Sequence, residues 1–318
     1  ARRGPASAAG KPPRAFGAVG GAGLVLVGLA VLAGLAAPVI APAGYDDQDL
    51  SHPLRPPVWA GGEWSTPLGT DQLGRDVLSR VLHGARTSVL LCGPAVLVAG
   101  VLGALLGLGS GYAGGRLDAV IMGIVEIQLS FPYLLLAIAF MALLQPSLAN
   151  LFAVLVLRSW VAYARLTRVS VLSLKQREFV LVARAMGASD RRILFRHIAP
   201  NVLTPSIVVS SFQFAELIVV ESSLSFLGLG VPPPTPSWGS MLSQGRDYIF
   251  TAWWLVALPG VAIVLIVLGA NVLGDALRDV LDPRTRALAG RRVRLTRNGV
   301  GRLAPREPSA ARPAGQSS

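Results

Sequence analysis

The sequence predicts an all-α membrane protein, a polytopic bundle of six transmembrane helices with one helical interruption on the cytoplasmic side. Three observations carry that expectation. Of 318 residues, 52% are hydrophobic and only 14% are charged, where a soluble domain carries about 25%; the mean hydropathy is +0.56. Six apolar segments run long enough to cross ~30 Å of hydrocarbon at ~1.5 Å per residue, some with a few polar flanking positions. The cations are distributed unevenly between those segments. An oversized soluble core does not account for uncharged runs of about 25 residues.

The first span covers 16–40 and follows a basic N-terminal arm, 1–15, that holds Arg2, Arg3, Lys11 and Arg14. A cleaved signal peptide competes, because "APA" at 41–43 resembles a cleavage site. The apolar run is much longer than the usual 7–15 residues of such a peptide, which favours an uncleaved anchor. Segment 41–86 follows, on the extracytoplasmic side. Within it Val77, Leu78, Val81 and Leu82 share one helical face, with Arg75, Asp76 and Arg80 elsewhere on the wheel. That pattern predicts a short helix lying at the membrane interface or packed on the bundle.

The main transmembrane region, 87–284, holds five more spans: 88–110, 119–142, 149–166, 203–226 and 250–273. The second span carries a ladder of Gly103, Gly107, Gly111 and Gly115, with Gly100 and Gly109 nearby, spaced for close helix packing. Pro94, Pro132 and Pro259 predict local kinks. The tail, 285–318, is rich in Arg, Pro, Ala and Gly and reads as disordered.

Charge places the ends. Of 29 Lys and Arg, 23 lie in the N-terminal arm, the loop at Arg116, the 163–203 loop and the tail, and only 5 lie on the other side. Both termini are therefore expected in the cytoplasm. The same distribution argues against nucleic acid as the partner of the +12 net charge. Cys92 is the single cysteine, and His52, His83 and His197 have no ligand spacing, so neither a disulfide within the chain nor a metal site is expected.

The 163–203 loop holds "EFVLVARAMGASDRRILFRHIAPN" at 178–201. Residues 178–186 are helix-forming, and Gly187 is placed as a C-terminal cap residue. Ser189 can cap a second helix, with Asp190 at its positive end. Pro200 is expected to end that helix. Ile193, Leu194 and Ile198 face the bundle or a partner, and Arg191, Arg192 and Arg196 face water or acidic groups. A DNA-binding helix-turn-helix does not suit a unit held between two spans. Amphipathicity alone leaves a helix resting on lipid and a docking element for a partner equally open.

That stretch resembles the EAA loop of ATP-binding-cassette importer permeases, and is most similar to the second permease subunit of the dipeptide, oligopeptide and nickel family. Four other blocks agree in order: "GTDQLGRDVLSRVLHGARTSV" (69–89), "IVEIQLSFPYLLLAI" (124–138), "ESSLSFLGLGVPPPTPSWGSML" (221–242) and "LGDALRDVLDPR" (273–284). The resemblance implies that the loop is a coupling helix docking on a cytoplasmic ATPase subunit, with the contact centred on Ala183, Arg184, Ala185, Gly187, Ala188 and Ser189. It implies a bacterial cytoplasmic-membrane protein that works by alternating access. Its partners would be a second permease subunit, in a heterodimer, two ATPase subunits and an extracytoplasmic solute-binding protein. Peptides are the implied cargo, with nickel or another small solute as the alternative. One departure stands out: the Glu-Ala-Ala that usually opens the motif reads Leu181, Val182 and Ala183 here, with Glu178 one turn earlier.

No GxxxxGK[ST] occurs, so ATP and Mg are expected on partner subunits and no cofactor on this chain. An ion-driven secondary transporter would show inverted repeats, and none is evident. Charges within spans mark paths or pairs, because an unpaired charge at bilayer depth costs several kcal/mol or so. Gln213, Glu216, Glu221 and Arg158 are the path candidates, with Glu216 favoured over Glu221 and an acidic lining suited to a peptide's amino terminus. Arg158 is expected to pair with Glu126 or Glu216.

Overall fold

The structure is a computed structural model that describes residues 18–281. The expected arm at 1–15 and tail at 285–318 lie outside the described residues. Ten helices follow in order: α1 (Ala18–Ile40), α2 (Val77–Ala113), α3 (Gly115–Leu129), α4 (Tyr133–Leu144), α5 (Leu148–Leu174), α6 (Glu178–Ala185), α7 (Asp190–Arg192), α8 (Ala199–Phe226), α9 (Trp238–Gly245) and α10 (Trp254–Leu281). Apart from one bridge between Thr70 and Asp76, every regular element among the described residues is helical. Five helical stretches are long and apolar enough to cross a membrane, and the bent pair α3–α4 makes a sixth if taken as one span.

The glycine ladder explains the central pairing. A Cβ on Gly103 would sit 2.3 Å from the Trp160 carbonyl oxygen, and one on Gly107 would sit 2.5 Å from that of Ala164. Absence of those side chains lets the α2 and α5 backbones meet. Gly111 continues the contact against Val171, but Gly115 does not belong to it. That residue opens α3 with φ +55, so it turns the chain rather than packing a helix. α8 and α10 complete the core, and α1 lies along α2 and α10. Apolar side chains such as Leu29, Val39 and Leu97 point outward, at 60%, 86% and 68% exposure, as suits a lipid-facing surface.

Four further expectations need correction. First, the separate interfacial helix does not exist, and the division at 86/87 falls inside a helix. Asp76 accepts from the Ser79 amide at 2.7 Å and starts α2 at Val77, and no breaker strong enough to end it follows before Ala113. Arg75 and Arg80, expected on a polar face, are buried. Arg75 Nε donates to Asp71 at 2.7 Å, and Arg80 Nη2 to Gln244 at 3.0 Å, which supplies the partners their burial requires.

Second, the span expected at 119–142 is broken: α3 and α4 meet at 89° across residues 130–132. Pro132 caps α4 and cannot donate to the preceding turn. Pro94 and Pro259, by contrast, sit inside uninterrupted helices. Third, α5 extends to Leu174, eight residues beyond the expected end at 166.

Fourth, Pro200 does not end a helix. α7, a π-turn over Ile193–Ile198 and α8 form one continuous rod, Asp190–Phe226. In the π-turn the Ala199 amide reaches back to the Leu194 carbonyl, five residues away. Such a widened turn absorbs the misfit of a proline that offers no amide hydrogen.

Candidate functional site

Two sites lie along that rod, one at its foot and one ten residues from its far end, where Glu216 meets Arg158 of α5. The foot is the turn between α6 and α7. Gly187 has φ +80, a region that side-chain-bearing residues rarely adopt. Its amide donates to the Arg184 carbonyl at 3.0 Å, and the Ala188 amide to that of Ala183 at 3.0 Å. This pair of bonds is a Schellman cap, and it closes α6. Ser189 Oγ then accepts from the Arg192 amide at 3.4 Å and starts α7. The expected local shape is thus present, from Glu178 to Arg192.

The residues singled out from sequence divide into two groups. Arg184, Ala185, Gly187 and Ser189 are exposed. Ala183 and Ala188 turn inward, packed on the small core of Leu108, Val171, Val180, Ile193, Ile198 and Val202. Sequence reasoning missed the apolar part of the outer surface: Leu181, Val182 and Met186 are 51%, 56% and 82% exposed. Leu181 therefore offers an apolar contact where the motif usually offers an acid.

Polar bonds tie the foot to the bundle. Tyr112 Oη, near the end of α2, donates to Asp190 Oδ1 at 2.5 Å, and Arg184 Nη2 lies 3.9 Å from the same oxygen. Lys175 Nζ donates to the Tyr112 carbonyl at 2.9 Å, satisfying an open carbonyl at the helix end. Beside it, Arg168 binds Asp118 through two bonds of 2.6 Å, and Ser110 Oγ donates to the same carboxylate at 2.5 Å. No sequence signal marks these pairs; Tyr112 and Asp190 are 78 positions apart.

The second site lies inside. Arg158 of α5 donates to Glu216 of α8, so the pairing left open between Glu126 and Glu216 falls to Glu216. Arg158 is ten residues from Leu148 and Glu216 ten from Phe226. Both therefore lie about 15 Å from the same end of the bundle, near the middle of a ~30 Å hydrocarbon layer. Gln213 Nε2 donates to Glu216 Oε2 at 3.0 Å, and the Arg158 guanidinium lies 4.9 Å from the centre of the Tyr133 ring. The Arg158 and Glu216 side chains are 24% and 39% exposed.

Glu221 is placed differently. Its side chain is fully buried between α2 and α8, accepting from Ser225 at 2.7 Å and Ser88 at 3.2 Å. Structure brings Arg158, Gln213 and Glu216 together and leaves Glu221 apart in the packing.

The bundle thus presents a capped, outward-facing turn at the foot of one rod and, further along that rod, a charge pair that joins it to α5. The chain belongs to the family described as the binding-protein-dependent transport system inner membrane component, which matches residues 101–287. It is 44% identical to the di/tripeptide transport system permease protein of Pseudomonas aeruginosa, over 86% of this chain and 90% of that one. It is 41% identical to the dipeptide transport system permease protein of Haemophilus influenzae, over 82% of this chain and 89% of that one. A third relative, the probable D,D-dipeptide transport system permease protein of Escherichia coli, is 40% identical over 82% of this chain and 86% of its own.

The protein is accordingly a permease subunit of an ATP-binding-cassette importer, a multi-pass bacterial inner-membrane protein and not an enzyme. It works with a partner permease, an ATPase and a solute-binding protein, and ATP hydrolysis lies in the partner.

Proposed function

We propose that this permease carries short peptides and is driven through the turn at Gly187. The relatives support the cargo by their names. The turn is supported by one observation: a rigidly capped, outward-facing patch of Arg184, Ala185, Met186, Gly187 and Ser189 begins a continuous helix that reaches Glu216. Two ATPase subunits dock from the cytoplasm, one on this turn and one on the matching turn of a sister permease in a heterodimer. Both termini are cytoplasmic, as the cation bias supports. ATP and Mg stay on the ATPase subunits, and this chain holds no cofactor. Arg158, Gln213 and Glu216 line the path, while Glu221 serves the packing of α2 on α8.

The test uses the complete transporter in proteoliposomes. Ala185 is exposed, so Ala185→Trp leaves the fold intact and fills the contact. ATPase subunits should be lost on purification, or peptide-stimulated hydrolysis should fall at least roughly tenfold, as blocking a contact worth over 1.4 kcal/mol requires. Unchanged assembly and unchanged stimulated hydrolysis would place the docking surface elsewhere.

A further inference from the structure

We propose that Arg158 and Glu216 form a binding station for a zwitterion, taking the free carboxylate and free ammonium of a short peptide halfway across the membrane. The inference rests on the reading that the cargo is a peptide.

Three observations converge. The pair sits about 15 Å along α5 and α8 from their common end, which is half of a ~30 Å hydrocarbon layer, yet both side chains remain partly open, at 24% and 39% exposure. Arg158 uses Nη2 for Glu216, while its Nε is buried and has no hydrogen-bond partner among the described residues. Gln213 is only 8% exposed, and it spends its Nε2 on Glu216 while its Oε1 likewise lacks a partner among the described residues. A vacant donor thus lies on the cation, and a vacant acceptor lies beside the anion.

A buried polar atom without a partner is costly, so these two vacancies are places for a ligand's groups. A peptide carboxylate fits the Nε–Nη2 edge of Arg158 in the two-bond geometry that guanidinium favours. The displaced Glu216 carboxylate, with Gln213 Oε1 next to it, accepts the ammonium. Each charge exchanges one opposite partner for another, so no uncompensated charge appears at mid-depth. A singly charged solute cannot complete this exchange.

The experiment measures direct peptide binding to the whole transporter in nanodiscs without its solute-binding protein. Probes are dialanine, N-acetyl-dialanine and dialanine amide, read by saturation-transfer NMR. Glu216→Gln should weaken dialanine roughly tenfold or more while leaving N-acetyl-dialanine at its own weak level. Arg158→Gln should behave likewise toward dialanine, sparing the amide. If the single variants do not assemble, Arg158→Met with Glu216→Met replaces the pair by apolar groups that fold readily, and dialanine binding should vanish. Equal losses for free and blocked peptides, or wild-type binding in the double variant, would overturn the station. Failure of the peptide reading is separate: then the wild-type transporter with its binding protein takes up no dialanine at all.

Discussion

Gly107 and Gly187 show two different uses of a missing side chain. Gly187 supplies a backbone angle, with nothing crowding its Cβ position. Gly107 supplies space, with the Ala164 carbonyl 2.5 Å from where a Cβ would stand. Gly107→Val should destabilise the α2–α5 pair by about 1–3 kcal/mol, read as a lower unfolding temperature in detergent. Gly93→Ala, on the same helix with open space around it, should not lower that temperature, since alanine is the better helix former. Equal effects at both positions would contradict the close approach. At this scale the sequence was readable where the signal was local. Gly187 and Ser189 disclose their turn because both caps lie within a few positions. Arg158 did not disclose its partner, because 58 positions separate it from Glu216 and Glu126 was an equal candidate.

Among the elements, the boundaries are what local sequence specifies least. The sequence predicts a stop at Pro200 and a kink at Pro132, and the structure reverses the two. Pro132 follows Ser130 and Phe131 at a sharp break, whereas Pro200 rides a π-turn packed on Val171 and Val180. Packing from a distant segment decided which proline was tolerated, and no local window contains it. α7 depends on Tyr112 as its tie to the end of α2. Asp190 is largely exposed, so solvent keeps this bond near 1 kcal/mol or less. Tyr112→Phe should leave the transporter assembled and lower peptide uptake per ATP hydrolysed roughly two- to fivefold. A full transport-to-hydrolysis ratio in that variant would remove Tyr112 from the coupling route.

Across the whole molecule, sidedness is open to a direct check, because the native Cys92 is fully buried and gives no background. A cysteine at Ser65 should react with a membrane-impermeant maleimide on intact cells, and one at Met186 only after permeabilisation. The reverse pattern would invert the proposed orientation. The helices also join in two unlike ways. α2 and α5 interlock backbone to backbone through glycines, a fit that any slip would turn into collision. The rod meets that slab through side-chain bonds at four heights: Tyr112 to Asp190, Tyr163 to Ser210, Arg158 to Glu216 and Ser88 to Glu221. At Tyr112–Asp190 and Arg158–Glu216, which are partly open, water or cargo can stand in for either side and the bond trades partners at little net cost, whereas Ser88 and Glu221 are fully buried and hold their contact. The molecule is thus a welded plate carrying a buttoned strut, and a working stroke has its natural seam along the buttons.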